Sequence, residues 1–249
     1  MNRQVAQIVK GQYSARMSGA AEDIAAAQAF RTAHFGGPEQ GVDCDRFDSI
    51  CRHVLVEDLE TDMLVACFRF QHLPDGAVIE QSYSAQYYDL LRLQNYNLPL
   101  LEIGRFCIEP RLNDPDILRI SLAFLTRFVD QYQIGLMFGC ASFEGTQMAP
   151  YTDAFALLKH RHLAPEIWKP APRAPKLIPY AAELADVSPN LKQANATMPT
   201  LLRSYLAMGG WVSDHAVMDA QMDTLHVFTG VEIAKIPPAR KRFLRADAG

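Results

Sequence analysis

Several signals are missing from this chain, and each absence closes a class. No run approaches the roughly 18 apolar residues that a membrane-crossing helix requires. Arg3 and Lys10 stand near the start, but Gln4, Gln7, Gln12 and Ser14 interrupt any apolar segment of a signal peptide. There is no Cys-x-x-Cys, and the cysteine count is odd, with five at Cys44, Cys51, Cys67, Cys107 and Cys140. A cytoplasmic protein with reduced thiols fits, and a disulfide scaffold does not; a peripheral contact at the inner face of the cytoplasmic membrane stays compatible. A basic excess is also missing. Lys and Arg total 24 against 28 Asp and Glu, for a net charge of -4 and a pI near 6.0, which excludes a generic nucleic-acid binder. No internal repeat is present. His160 and His162 point opposite ways on a helix and have no third ligand at matching spacing, so no metal is expected.

What is there suffices for one large core, or one core with a substantial appendage: 249 residues, 49% hydrophobic. A variable arm leads into a strand by about residue 18. Ala20 to Arg31 reads as a helix with Glu22 and Asp23 in its first turn, an inner face of Ile24, Ala27 and Phe30, and a stop at Gly36-Gly37-Pro38. Gly41 to Ser49 reads as an acidic loop. Cys51–Glu57 and Met63–Phe70 read as paired strands, followed by a turn at Pro74-Asp75-Gly76.

Tyr83 to Leu93 reads as helical and Leu98 to Cys107 as a strand. Asp114 is a natural N-cap, with Pro115 at the first position of a helix to Tyr132 whose buried stripe is Ile117, Ile120, Phe124 and Phe128. Ile134–Phe143 is apolar enough for a central strand, and a helix follows from Met148 to His160. This order predicts an α/β fold, with a mixed sheet flanked by helices. Five prolines between Pro165 and Pro179 predict a rigid extended excursion, then weakly helical 182–196, a helix over Pro199–Met208 and a last strand over Leu225–Ile233. The basic end, with Arg240, Lys241, Arg242 and Arg245, reads as a solvated tail.

The most informative stretch is Leu101-Glu102-Ile103-Gly104-Arg105, with Asp43-Cys44-Asp45-Arg46-Phe47-Asp48 upstream. Strand alternation places Glu102 and Arg105 on opposite faces of an apparently inner strand. Buried charges need partners, so the pattern predicts a paired-charge cleft suited to a small zwitterion. Arg69 and Arg105 are candidates for fixed guanidinium donors, one clamping a carboxylate and the other bracing an acid. Cys67, Cys107 and Cys140 read as core. Ser142 reads either as a donor to a substrate arm or as a cap. Lys159, Arg161 and Lys169 make a local basic region, either solvated or facing an acidic partner.

These pieces, in order with Ala27-Gln28-Ala29-Phe30-Arg31, Cys51-Arg52-His53, Cys67-Phe68-Arg69-Phe70, Phe138-Gly139-Cys140-Ala141-Ser142-Phe143 and Met198-Pro199-Thr200-Leu201-Leu202-Arg203-Ser204-Tyr205-Leu206-Ala207-Met208-Gly209-Gly210, resemble the ornithine N-acyltransferases. These begin bacterial ornithine lipid synthesis from an acyl carrier protein thioester. The family is GNAT-like and similar to acyl-homoserine lactone synthases in its first half. The resemblance covers roughly residues 20–235 and departs at Thr32-Ala33-His34-Phe35. It implies a single GNAT-like domain over 1–249 with a mostly antiparallel sheet: core about 18–164, excursion and helical insertion 165–224, strand 225–236 and tail 237–249.

It further implies transfer of a 3-hydroxyacyl chain to the α-amine of ornithine, giving lyso-ornithine lipid. No cofactor is held tightly; phosphopantetheine arrives on the acyl carrier protein. The pyrophosphate-gripping loop of coenzyme A users is not evident between Cys107 and Leu118. Glu102 is then the expected catalytic base. Asp45 and Asp48 are either substrate ligands or structural partners of Arg69 and Arg105, and Arg31 either joins their network or is an ordinary helix-end cation. Lys159, Arg161 and Lys169 would meet the carrier protein. The alternatives are an N-acyltransferase for glutamine, glycine or lysine, and a non-catalytic carrier-protein or lipid binder.

Overall fold

The computed structural model describes residues 7–35, 41–112 and 114–249. In chain order the elements are β1 (Gln7–Lys10), β2 (Tyr13–Ser18), α1 (Ala21–Phe35), β3 (Arg52–Asp58), β4 (Met63–Leu73), β5 (Tyr88–Asp89), β6 (Leu100–Ile108), α2 (Pro115–Tyr132), β7 (Leu136–Glu144), α3 (Thr152–Arg161), β8 (Ala171–Pro172), β9 (Leu177–Ile178), α4 (Tyr180–Glu183), α5 (Leu191–Thr197), α6 (Thr200–Ala207), β10 (Trp211–Val212), β11 (Ala216–Asp219), β12 (Thr224–Glu232) and α7 (Pro238–Ala248). The Gly36-Gly37-Pro38 stop and residues 1–6 lie outside the described residues; from Gln7 on, the expected arm is instead the paired strands β1 and β2. No helix among the described residues is long and apolar enough to cross a membrane.

Two compact units interleave along the chain. The first runs up to His72 and takes in Ile103–Ile134 and Pro238–Gly249. Its strands β1, β2, β3 and β4 are antiparallel neighbours in sequence order. The α2 stripe is as expected: Ile117, Ile120, Phe124 and Phe128 are buried. Asp114 accepts from the Asp116 amide at 2.9 Å with Pro115 behind it. Phe68 stacks on Phe106 at 4.9 Å and meets Phe124 edge-on at 6.4 Å. The expected solvated tail is instead α7, packed on α2. Leu244 and Ala248, four apart, turn inward, and Arg245 and Asp247 pair with Asp130 and Arg119. A basic helix can dock when its partner helix offers matching acids.

The second unit comprises Leu73–Glu102 and Gly135–Pro237. Here β7 pairs antiparallel with β12 along its full length, and β12 carries β11 and β10, with β9 beyond β11. On its other edge β7 pairs parallel with β6, only over Leu100–Glu102 and Leu136–Phe138. Side-chain alternation gives the sheet two faces. Ala141, Phe143, Leu225 and Val227 meet α3, α5 and α6 on one. Leu100, Leu136, Phe138 and Phe228 meet Tyr88, Leu90 and Leu93 on the other.

That second cover is not the expected helix over 83–93. It is a chain of short 3-10 turns, with β5 paired to β8. The backbone groups there are taken by the Glu102 side chain, by local 3-10 turns and by β8. The excursion also differs from expectation. Two of its segments pair as β8 and β9, and β10 and β11 add strands where none was read. Two-residue strands leave no periodic signal in a sequence.

Candidate active site

Three aspartates and three arginines of the first unit form one buried network. Asp45 caps a 3-10 turn over Arg46–Ser49, accepting from the Phe47 amide at 2.8 Å, and Asp48 completes the reciprocal cap. Arg31 donates Nε to Asp43 at 2.9 Å and Nη2 to Asp48 at 3.0 Å. Arg69 bonds both Asp45 oxygens at 2.7 Å and Asp48 at 2.6 Å. Arg105 reaches Asp43 at 3.1 Å and Asp45 at 3.3 Å. The three positive and three negative charges balance, as burial requires. Burial alone would raise the Asp45 and Asp48 carboxyls, yet both lie below the usual range. Arg69 and Arg105 hold Asp45 down; Gln28, Arg69 and Arg31 hold Asp48 down.

This geometry decides several expectations. Arg31 is fully buried, not a helix-end cation. Asp43, within the stretch read as an acidic loop, is 7% exposed and ion-paired. Arg69 gives its fork to Asp45 and Asp48, so it braces acids of this chain. Asp48 is equally enclosed, while the Asp45 and Arg105 side chains keep 25% and 14% exposure. Arg105 also takes φ 51 inside β6, a conformation that costs an ordinary residue about 1 kcal/mol or more. The strict alternation expected across Glu102 and Arg105 therefore fails at Arg105.

Glu102 belongs to the second unit and is 4% exposed. Its carboxylate accepts from the Tyr83 amide at 2.7 Å, the Ser84 amide at 2.7 Å and the Ser84 hydroxyl at 2.6 Å. These bonds anchor the cover segment to β6. Glu102 lies in register with Phe138, and the pleat puts Cys140 and Ser142 on that face of β7, with Phe228 and His226 opposite them on β12. The Ser84 hydroxyl lies 3.5 Å from Cys140 Sγ. Tyr87 packs edge-on to the His226 ring at 4.9 Å, and its phenol is pushed up by burial and by Tyr83.

His226 is 3% exposed. Tyr88 Oη donates to the His226 carbonyl at 2.8 Å and lies 3.1 Å from Nδ1. Having one proton, already given, the phenol accepts from Nδ1–H, so Nε2 is a bare lone pair. That nitrogen is buried with no hydrogen-bond partner. Burial first, then His215, lowers the imidazole to about 4.

Other expected residues divide. Cys67 and Cys107 are buried as expected, and burial pushes both thiols up. Cys140 is half-buried. Ser142 is exposed within β7 and caps nothing. Lys159 turns its ammonium onto the Leu184 and Ala185 carbonyls, and Lys169 pairs with Asp214 at 2.7 Å. Only Arg161 of that basic trio is exposed. His160 Nε2 lies 2.9 Å from the Val187 carbonyl. Sequence reasoning missed Ser84, Tyr87 and His226 altogether. The sole signal for His226 was a lone His within an apolar strand.

A family model described as an acetyltransferase (GNAT) domain matches residues 27–122. A Brucella abortus protein named L-ornithine N(alpha)-acyltransferase is 31% identical over 217 residues, covering 83% of this chain and 75% of its own. A Rhodobacter capsulatus protein of the same name is 29% identical over 246 residues, covering 93% and 94%. The solved structure of FeeM, an N-acyl amino acid synthase from uncultured soil microbes, matches in fold with a TM-score of 0.52 at 10% identity, covering 93% of this chain and 99% of that one.

Proposed function

The chain belongs to the L-ornithine N(alpha)-acyltransferase family, and on that premise we propose that it transfers a 3-hydroxyacyl group from acyl carrier protein to the α-amine of L-ornithine, giving lyso-ornithine lipid. The observation that carries this reading is the shared sheet face of Glu102, Cys140 and His226 beside a strand edge of β7 that has no strand partner past Phe138 among the described residues. Gly139, Cys140 and Ala141 border that edge with small side chains. A phosphopantetheine arm carries amides suited to such an edge, and the acyl carrier protein brings it as part of the substrate.

The chemistry needs few parts. The α-ammonium must lose a proton before its nitrogen attacks the thioester carbonyl, and the departing thiolate must gain one. Glu102 is the proposed base. Its donors hold the carboxylate in one orientation, so no reorganisation is needed when the proton moves. Asp45 and Arg105, the members of the ion network that keep solvent contact, are assigned to ornithine in the same proposal, and Ser142 to the donor arm. Arg161 is the remaining candidate for the acidic carrier protein.

The test is thiol release from a 3-hydroxyacyl carrier protein in the presence of ornithine, with the product read by mass spectrometry. Glu102→Gln should lower kcat about 100-fold or more with the fold intact. Retention of kcat by that variant would remove Glu102 from the chemistry. Asp45→Asn should raise KM for ornithine selectively. Preference for glutamine, glycine or lysine in the parent enzyme would replace ornithine as acceptor.

A further inference from the structure

Glu102 and Ser84 are 4% and 0% exposed, whereas Cys140 is half-buried. A base so enclosed needs a route for its proton. The Ser84 hydroxyl sits 2.6 Å from Glu102 Oε1 and 3.5 Å from Cys140 Sγ. A carboxylate only accepts, so the single hydroxyl proton points at Glu102. The Ser84 oxygen then presents lone pairs to sulfur, and Cys140 S–H is the donor. The chain of bonds has one direction, from thiol to hydroxyl to carboxylate.

We infer that Ser84 is a positioning residue for the acyl transfer, carrying the proton between Glu102 and the half-exposed thiol of Cys140. The inference rests on the reading of Glu102 as base. As the α-ammonium gives up its proton to Cys140 sulfur, the thiol proton passes to Ser84 Oγ and the hydroxyl proton to Glu102 Oε1. No bond to carbon forms on the enzyme, and Glu102 is left neutral. On collapse of the tetrahedral intermediate the C–S bond breaks, the same shifts run in reverse and the proton reaches the departing thiolate, while the second proton that nitrogen sheds in becoming an amide leaves to solvent. Cys140 therefore acts without becoming acylated.

Ser84→Ala tests this cleanly, because the Tyr83 and Ser84 amides still hold the carboxylate. It should lower kcat about 100-fold and leave KM for ornithine within about twofold, with unchanged circular dichroism and Tm. Cys140→Ala should lower kcat about tenfold, and Cys140→Ser, which restores a donor, should recover several-fold over Cys140→Ala. Each variant is compared with Glu102→Gln in the thiol-release assay. If Glu102→Gln is inactive while Ser84→Ala keeps kcat within about threefold, the relay is wrong and the base assignment stands. If Glu102→Gln is itself active, the base assignment fails and takes the relay with it. Acyl-Cys140 trapped by mass spectrometry with donor but no ornithine would also overturn the relay, since sulfur would then be the nucleophile.

Discussion

Lowering the pH from 7 to 5 charges His226 in the unfolded chain but not in the folded one. The folded imidazole sits near 4 because it is buried, while the unfolded value is about 6.5. A histidine with a depressed native pKa stabilises the fold fully only above its unfolded pKa, and loses that contribution as pH falls toward the folded pKa. Each unit is worth about 1.4 kcal/mol. By pH 5 about 1.5 units of the difference operate, so His226 alone removes about 2 kcal/mol between pH 7 and 5, and about 3 kcal/mol by pH 4. Burial shifts His53, His72 and His162 in the same direction, so the parent slope is steeper than one residue gives. His226→Asn isolates the share: an amide donor still faces Tyr88 Oη, and nothing titrates. Urea unfolding at pH 7, 6 and 5 should show parent and variant curves converging by about 2 kcal/mol as pH falls. The His226 Cε1–H resonance should not titrate above pH 5. Parallel curves, or an NMR midpoint above 6, would refute both the burial argument and the assigned tautomer.

Four further outcomes follow from other parts of the fold. Arg69→Met leaves Asp45 and Asp48 without their shared partner; urea unfolding should show a loss of about 3–5 kcal/mol. In the same network, Asp45 and Asp48 are held low, so their contribution is present above about pH 3.9 and is lost as pH falls below that; acid titration of a His226→Asn background should expose this as a separate transition. Gln133 closes α2 at φ 53, so Gln133→Gly should raise stability by about 0.5–1 kcal/mol, read as a higher Tm. A Cβ on Gly76 would stand 1.9 Å from the Leu93 carbonyl oxygen, which is backbone, so Gly76→Ala should cost about 2 kcal/mol or more.

The α/β class, the helix from Pro115, the central strand before Phe143 and the acid-arginine pairing were all legible in the sequence. Each rests on a local rule: an Asp-Pro cap, an apolar run, or charges that burial forces together. Alternation along Leu101–Arg105 also placed Glu102 correctly within a strand, but it could not show the left-handed turn at Arg105. Tertiary structure alone decided what those charges meet. Asp43 lay in a stretch that read as an acidic loop until Arg31 and Arg105 enclosed it, and Arg69 was a candidate carboxylate clamp until Asp45 and Asp48 took its fork. The segment 83–93 carried helical composition, yet the amides of Tyr83 and Ser84 bond to Glu102 eighteen or so residues away. Cys140 and His226 lie far apart in the chain and share one sheet face only through strand register, and Ser84 reaches that face from the cover through Glu102. Periodicity reports which way a side chain points from its own element. Which partner satisfies it is fixed by packing between distant segments, and no local pattern records that choice.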